Sequence, residues 1–333
     1  MSSQSRMSAL EIRASLALAS VFGLRLFGMF VILPVFAIYA EALPGGSNLT
    51  LVGVAIGAYG LTQAILQIPF GWWSDRLGRK PVIYIGLLMF AAGSFIAAAA
   101  PNIYVVIVGR VLQGAGAISA AVMALAADLT SEEHRTKAMA MIGSTIGIVF
   151  AASLVLAPWL NQHIGVPGIF ALTGVLALAA MLVVWRVVPP VVEQPQRRTS
   201  SLMADLKTVL GNPELLRLNW GIFALHAVLM ALFIAVPFSL RNAGMPVEQH
   251  WKVYLPVMLA SFVLMLPAMM GAHGSGGNGN SGKVKGWFVG SVALLLVTQV
   301  AMPWLAGGLW SIVLFLLLFF TPFNILEAML PSL

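Results

Sequence analysis

Long apolar runs separated by short polar turns dominate the chain. A helix that crosses a bilayer needs about 20 mostly apolar residues. Ten stretches qualify: 16–40, 50–73, 81–100, 103–127, 138–160, 166–185, 216–240, 253–272, 286–306 and 309–330. None alternates apolar and polar positions as a membrane β-strand would, so helices are the spanning structure that remains. The pair of runs over 138–185 contains no formal charge, and Asn161, Gln162, His163, Gly165 and Pro167 supply its turn. Ser8 and Glu11 have capping-box spacing before the first run, and Thr130 and Glu133 repeat it before the fifth. Asn212-Pro213-Glu214 offers a cap, a first-turn proline and an acid before the seventh.

The segment 189–211 divides the runs into six and four. It opens with Pro189, Pro190 and Pro195, and Leu202, Leu206 and Val209 fall near one face of a short amphipathic helix that Gly211 would stop. The expected organisation is therefore a six-helix bundle over 1–188, a cytoplasmic linker over 189–215 and four further helices over 216–333. The stretch 273–282, of Gly, Ser and Asn after His273, reads as a flexible linker, either natural or engineered.

Composition agrees with this all-α integral membrane bundle. Of 333 residues, 60% are hydrophobic and 9% charged, against about 25% charged in soluble domains. The net charge of +7 is spread over short loops and forms no patch for nucleic acid. The absence of cysteine excludes disulfides, thiolate metal sites and cysteine nucleophiles. The first 15 residues are polar and the run after them is too long for a cleavable signal, so the first span reads as an anchor that stays.

Loop charge sets orientation. With both termini inside, the inner segments hold Arg6, Arg13, Arg76, Arg79, Lys80, Arg135, Lys137, Arg186, Arg197, Arg198, Lys207, Arg217, Lys283 and Lys285; the outer loops hold Arg241 and Lys252. Arg25 and Arg110 lie within spans. Both termini are expected in the cytoplasm.

Polar groups inside spans mark a transport path or a helix contact. Arg25 in span one and Arg110 in span four each either face a cavity or cap buried polar groups. Tyr59, Gln63 and Gln67 form one stripe at i, i+4 and i+8 on span two, which lines water or joins helices. Span seven carries His226, with Met230 and Phe233 at helical spacing, and span ten carries Asn324 and Glu327 on one face. Counting places His226 near mid-depth and Glu327 in the cytoplasmic third. Both titrate, which suits proton exchange. Met29 and Met230 would add an adaptable apolar wall. There is no paired intramembrane carboxylate motif, no H-E-x-x-H and no G-x-S-x-G, so no enzyme is expected, and neither a cofactor nor a metal.

The turn between spans two and three reads Gly71-Trp-Trp-Ser-Asp75-Arg76-Leu-Gly78-Arg79-Lys80, and span four reads Gly109-Arg110-Val-Leu-Gln113-Gly114-Ala-Gly116. These resemble motifs A and B of the major facilitator superfamily. Gly28-Met-Phe-Val-Ile-Leu-Pro34 is similar to the drug-exporter version of the first helix, and 68–80, 110–136 and 321–333 are similar to the YajR-type bacterial group. The resemblance implies a secondary transporter of the bacterial inner membrane, working by alternating access as a monomer in lipid. Its cargo would be a small amphiphile expelled in exchange for protons. Arg25, Met29, Tyr59, Gln63, Gln67, Arg110, Gln113, Met230 and Asn324 would line the substrate path, and His226 and Glu327 would carry protons. Gly71, Asp75, Arg76, Gly78, Arg79 and Lys80 would form the gate, with Asp128 pairing the motif A arginines. Two departures stand out. In the exporter signature of span five, Gly143 and Gly147 fit, but Ile148 replaces a proline and Ala151 and Ala152 replace glycines. The family has twelve spans against ten here, so a truncated transporter is expected, in which Asp75 lacks its helix-eleven partner. Proton-coupled nutrient uptake and a non-transporting fragment or engineered bundle remain the alternatives.

Overall fold

The computed structural model describes residues 7–190, 207, 208, 210–272, 281–305 and 308–329. Leu202, Leu206 and Val209 of the expected amphipathic helix, and 273–280 of the Gly/Ser/Asn stretch, lie outside the described residues. Every regular element among the described residues is helical: α1 (Ala9–Phe30), α2 (Leu33–Glu41), α3 (Leu49–Leu77), α4 (Arg79–Ala98), α5 (Ile103–Ala115), α6 (Ser119–Asp128), α7 (Arg135–Arg186), α8 (Pro213–Asn242), α9 (Trp251–Ala272), α10 (Ser281–Leu305) and α11 (Leu309–Met329), with 3₁₀ turns at Glu132–His134 and Val247–Gln249. Ser281 and Gly282, expected in the flexible loop, open α10 instead.

At 1.5 Å per residue α7 would be about 78 Å long, more than twice a hydrocarbon core of about 30 Å. It is two crossings. Gly165 holds φ 66°, ψ 172°, a conformation that excludes side chains with a Cβ, and the chain turns back there. Both ends of α7 return to the start of α1. His134, just before α7, contacts Glu11, and the Arg186 carbonyl accepts from Arg13 at 3.4 Å. Nine described helical stretches are long and apolar enough to span; with α7 counted twice they make ten crossings.

Two spans expected to be continuous are broken. The first ends as α1 at Phe30 and resumes as α2 with Pro34 in its first turn, where the ring removes a backbone donor. The fourth breaks over Gly116–Ile118, where backbone bonds shorten to Ala117→Ala115 and Ile118→Gly116. The Ser8–Glu11 capping box forms in both directions, at 2.8 and 3.2 Å. Asn212 caps α8 through the Glu214 and Leu215 amides. The Thr130–Glu133 box does not form. Thr130 bonds back to the Ala126 carbonyl, and the Ser131 amide donates across to Glu11 at 2.9 Å. Glu11 lies on the polar lead of α1, before the apolar run. Amides of Ser131 and Ser8 hold its carboxyl down to about 2, well below the usual carboxylate range. One acid thus caps its own helix and ties it to the turn before α7.

The chain divides into two compact units, Met1–Lys207 and Thr208–Leu333. In the first, α1 packs on α7, α4 on α7 and α5, and α3 on α5. In the second, α11 is the hub and touches α8, α9 and α10. Large apolar side chains such as Leu61, Ile65, Trp220 and Val297 stay exposed. That pattern suits a lipid-facing surface, where burial in protein is not required.

Candidate functional site

The polar cluster of the first unit is built on four helices. Arg25 of α1 is 2% exposed. Its guanidinium donates to Ser119 Oγ of α6 at 3.1 Å and Gln63 Oε1 of α3 at 3.2 Å, and its Nε has no partner. Arg110 of α5, equally buried, donates from Nε to the Ala55 carbonyl at 3.3 Å and from Nη1 to Gln113 Oε1 at 3.0 Å. Both guanidinium groups approach the Tyr59 ring, with Cζ 5.8 Å from its centroid for Arg25 and 4.8 Å for Arg110, within cation–π range. Phe90 meets that ring edge-on. The Tyr59 hydroxyl is buried and unpartnered, as is Gln67 Oε1.

Gln113 continues the network. Its Nε2 donates to Ser94 Oγ at 2.7 Å, and the Thr173 hydroxyl lies 3.2 Å from the same oxygen. Arg110 and Gln113, expected along the substrate path, are thus enclosed between helices in this structure. Each finds its partners inside the packing of α3, α4, α5 and the second leg of α7. Tyr59 is likewise buried. Gln63, Gln67 and Met29 are half-buried and stand at the edge. Ser94, Ser119 and Thr173 were not singled out by sequence. Ser94 and Thr173 each bond a carbonyl of their own helix, so a polar residue there costs little and leaves no sequence signal.

The motif A turn is a compact ionic knot. Gly78 ends α3 and precedes α4 with φ 94°, ψ 155°, the left-handed region where glycine is needed. The turn brings Arg79 onto three acceptors: Asp75, Ser74 Oγ at 2.8 Å and Asp128 Oδ2 of α6 at 3.0 Å. Asp75, expected to lack its helix-eleven partner, is bonded to Arg79 within its own turn. Arg76 stacks on Trp72, its Cζ 3.8 Å from the ring centroid, and Lys80 Nζ donates to the Val188 carbonyl at 2.6 Å. Gly71 leaves room for a methyl group, whose nearest neighbour would be the Ala120 Cβ at 3.5 Å. Close helix approach is therefore not its role in this structure.

In the second unit α8 and α11 bring His226 and Glu327 together, Nε2 to Oε2 at 3.8 Å, with both side chains about two-fifths exposed. The two meet side by side, although counting along each span set them at different depths. Phe323 packs edge-on against the imidazole, whose Nδ1 lies 3.0 Å from the Ile222 carbonyl. Asn324, one turn before Glu327, donates to Ser261 Oγ of α9 at 2.9 Å and is buried, so it joins helices in this structure. Met230 is half-buried one turn beyond His226. Among the described residues no group of three His, Asp or Glu is placed to hold a metal ion.

Comparison with known proteins matches this architecture. Over 324 residues the chain is 45% identical to the inner membrane transport protein YajR of Escherichia coli K12, covering 97% of this chain and 70% of YajR. The quinolone resistance protein NorA of Staphylococcus aureus is 28% identical over 64% of this chain and 52% of its own length. A bacterial homologue of the lysosomal transporter Spinster, solved inward-facing and unoccupied, superposes with a TM-score of 0.69 at 14% identity, covering 98% of this chain and 76% of that one. Residues 18–333 match the Major Facilitator Superfamily. With helical crossings, the motif A knot and the motif B arginine in one unit, this multi-pass membrane chain belongs to the major facilitator superfamily of secondary transporters.

Proposed function

We propose that the chain expels small amphiphilic molecules across the bacterial inner membrane in exchange for protons, as a monomer with both termini in the cytoplasm. The observation that carries the proton assignment is the His226–Glu327 pair. Titratable groups inside spans are costly and mark proton and ion paths. Two of them 3.8 Å apart form a unit whose mutual attraction changes when one proton is added. The resistance roles named for NorA and for the class E tetracycline resistance protein of Escherichia coli, 32% identical over 47% of this chain and 39% of its own length, support export. The inner membrane follows the name of YajR.

Purified protein in proteoliposomes tests the coupling. The probes are 1-naphthoate and 1-naphthylmethylammonium, one ring with opposite charges. Glu327→Gln and His226→Ala are expected to abolish accumulation driven by a pH jump while preserving exchange at equal pH. If both variants concentrate either probe with the parental pH dependence, the proton assignment is wrong. Ile148, Ala151 and Ala152, in place of the exporter signature, favour uptake as the second reading. The direction of the effective pH jump separates the two.

Orientation has its own test, made simple by the cysteine-free chain. Cysteines introduced singly at Ser47 and Gln162 are expected to react with an impermeant maleimide on intact spheroplasts. Those at Glu132 and Arg217 should react only after lysis. The reverse pattern would invert the topology.

A further inference from the structure

We infer that the first unit binds the negatively charged group of its substrate at Arg25, so that amphiphilic anions, not cations, are the substrate class. This rests on the transport reading above. The described carboxylates of that unit, Glu11, Glu41, Asp75, Asp128, Glu132 and Glu133, stand at or beyond helix ends. Arg25 and Arg110 stand inside helices and make no ion pair among the described residues. Their partners are a hydroxyl, two amide oxygens and a backbone carbonyl, all neutral. Two formal positive charges thus meet at one tyrosine ring with no described carboxylate paired to either. Removing an ion from water costs several kcal/mol that neutral dipoles only partly return.

The unused hydrogen-bond capacity has a sign as well. Arg25 Nε and the Tyr59 hydroxyl are both buried and both lack a partner. Both can donate. An oxyanion has the lone pairs such donors lack and neutralises the guanidinium, and carboxylate geometry matches the guanidinium fork. The two arginines are equally buried, and Arg25 is the one whose partners reach the edge. The partners of Arg110 are sealed, with Gln113 and Ala55 fully buried, whereas Gln63 and Ser119 are half-buried, so an anion reaches Arg25 by displacing the Gln63 amide. Met29, one turn along α1 and half-buried, offers an adaptable apolar contact for the rest of the molecule.

Equilibrium dialysis of the detergent-solubilised protein, blanked against empty micelles, tests this without requiring transport. The protein is expected to bind 1-naphthoate at least about tenfold more tightly than 1-naphthylmethylammonium, a difference of about 1.4 kcal/mol. Arg25→Gln should remove that preference. Gln63→Ala removes the competing acceptor and should tighten naphthoate binding several-fold, whereas a residue needed only for packing would weaken it. Equal binding of the two probes, a preference for the cation, an anion preference that survives Arg25→Gln, or weaker naphthoate binding in Gln63→Ala would each overturn the inference. If Arg25→Gln does not fold, Gln63→Ala and the parental preference decide. Cation preference together with pH-driven accumulation would leave the transport reading standing and remove only the charge class.

Discussion

Gly114→Ala should unfold the first unit at markedly lower temperature. A Cβ at this position would lie 2.2 Å from the Tyr59 carbonyl oxygen and 3.0 Å from its Cα. Both are backbone atoms of α3, so no side chain can swing aside. The two helices must part, and they carry Tyr59 away from Arg110 as they do. Overpacking of this kind costs about 3 kcal/mol at the upper end of its usual range, which corresponds to a fall of about 6–12 °C in Tm for a unit of this size. Tryptophan fluorescence during heating of the purified protein reads the shift. Gly71→Ala is the matched control: its methyl group meets only Ala120 at 3.5 Å, and alanine is the better helix former by roughly 1 kcal/mol. It should leave Tm unchanged or slightly raised. Equal losses from the two substitutions would contradict the account of close approach.

Loss of the motif A arginine should have the next largest effect. The Arg79 side chain is 11% exposed and serves Asp75, Asp128 and Ser74 at once. Arg79→Ala leaves two carboxylates facing one turn without the guanidinium bonded to both. Charge-assisted hydrogen bonds contribute about 1.5–3 kcal/mol each. Water recovers part of that, because the Asp75 and Asp128 side chains are 33% and 21% exposed. A net destabilisation of about 2–3 kcal/mol is expected. Asp75→Asn and Asp128→Asn retain an accepting oxygen and should each cost less than about 1 kcal/mol. In a thermal-unfolding cycle, Arg79→Ala combined with Asp128→Asn should cost less than the sum of the single changes, because they share one interaction. Strict additivity would show that the knot is not a unit.

Much of the fold is legible along the chain because its causes are local. Apolar length decides that a segment spans. The Ser8–Glu11 box and the Asn212 cap close within a few residues, and Gly78 and Gly165 mark turns that only glycine makes easily. The Thr130 box failed because the Thr130 hydroxyl bonds back to the Ala126 carbonyl and the next turn starts from Ser131, whose amide Glu11 takes from 120 residues earlier. The breaks within the first and fourth spans were missed because an apolar run has the same composition whether its backbone is continuous or interrupted.

The polar residues divide in the same way. Sequence alone determined that Arg25, Tyr59, Gln63, Arg110, His226 and Glu327 lie within spans, since lipid tolerates so few polar groups that each one is conspicuous. Helical periodicity gives each a face but no partner. Arg25 reaches Gln63 and Ser119 across 38 and 94 residues, and His226 meets Glu327 from another helix of its unit. Gln113 finds Ser94, and Asn324 finds Ser261. Only the tertiary structure decided those pairings. Which side chains meet depends on how remote helices rotate and slide to fill space, and that choice is made by packing over the whole bundle rather than by any one segment.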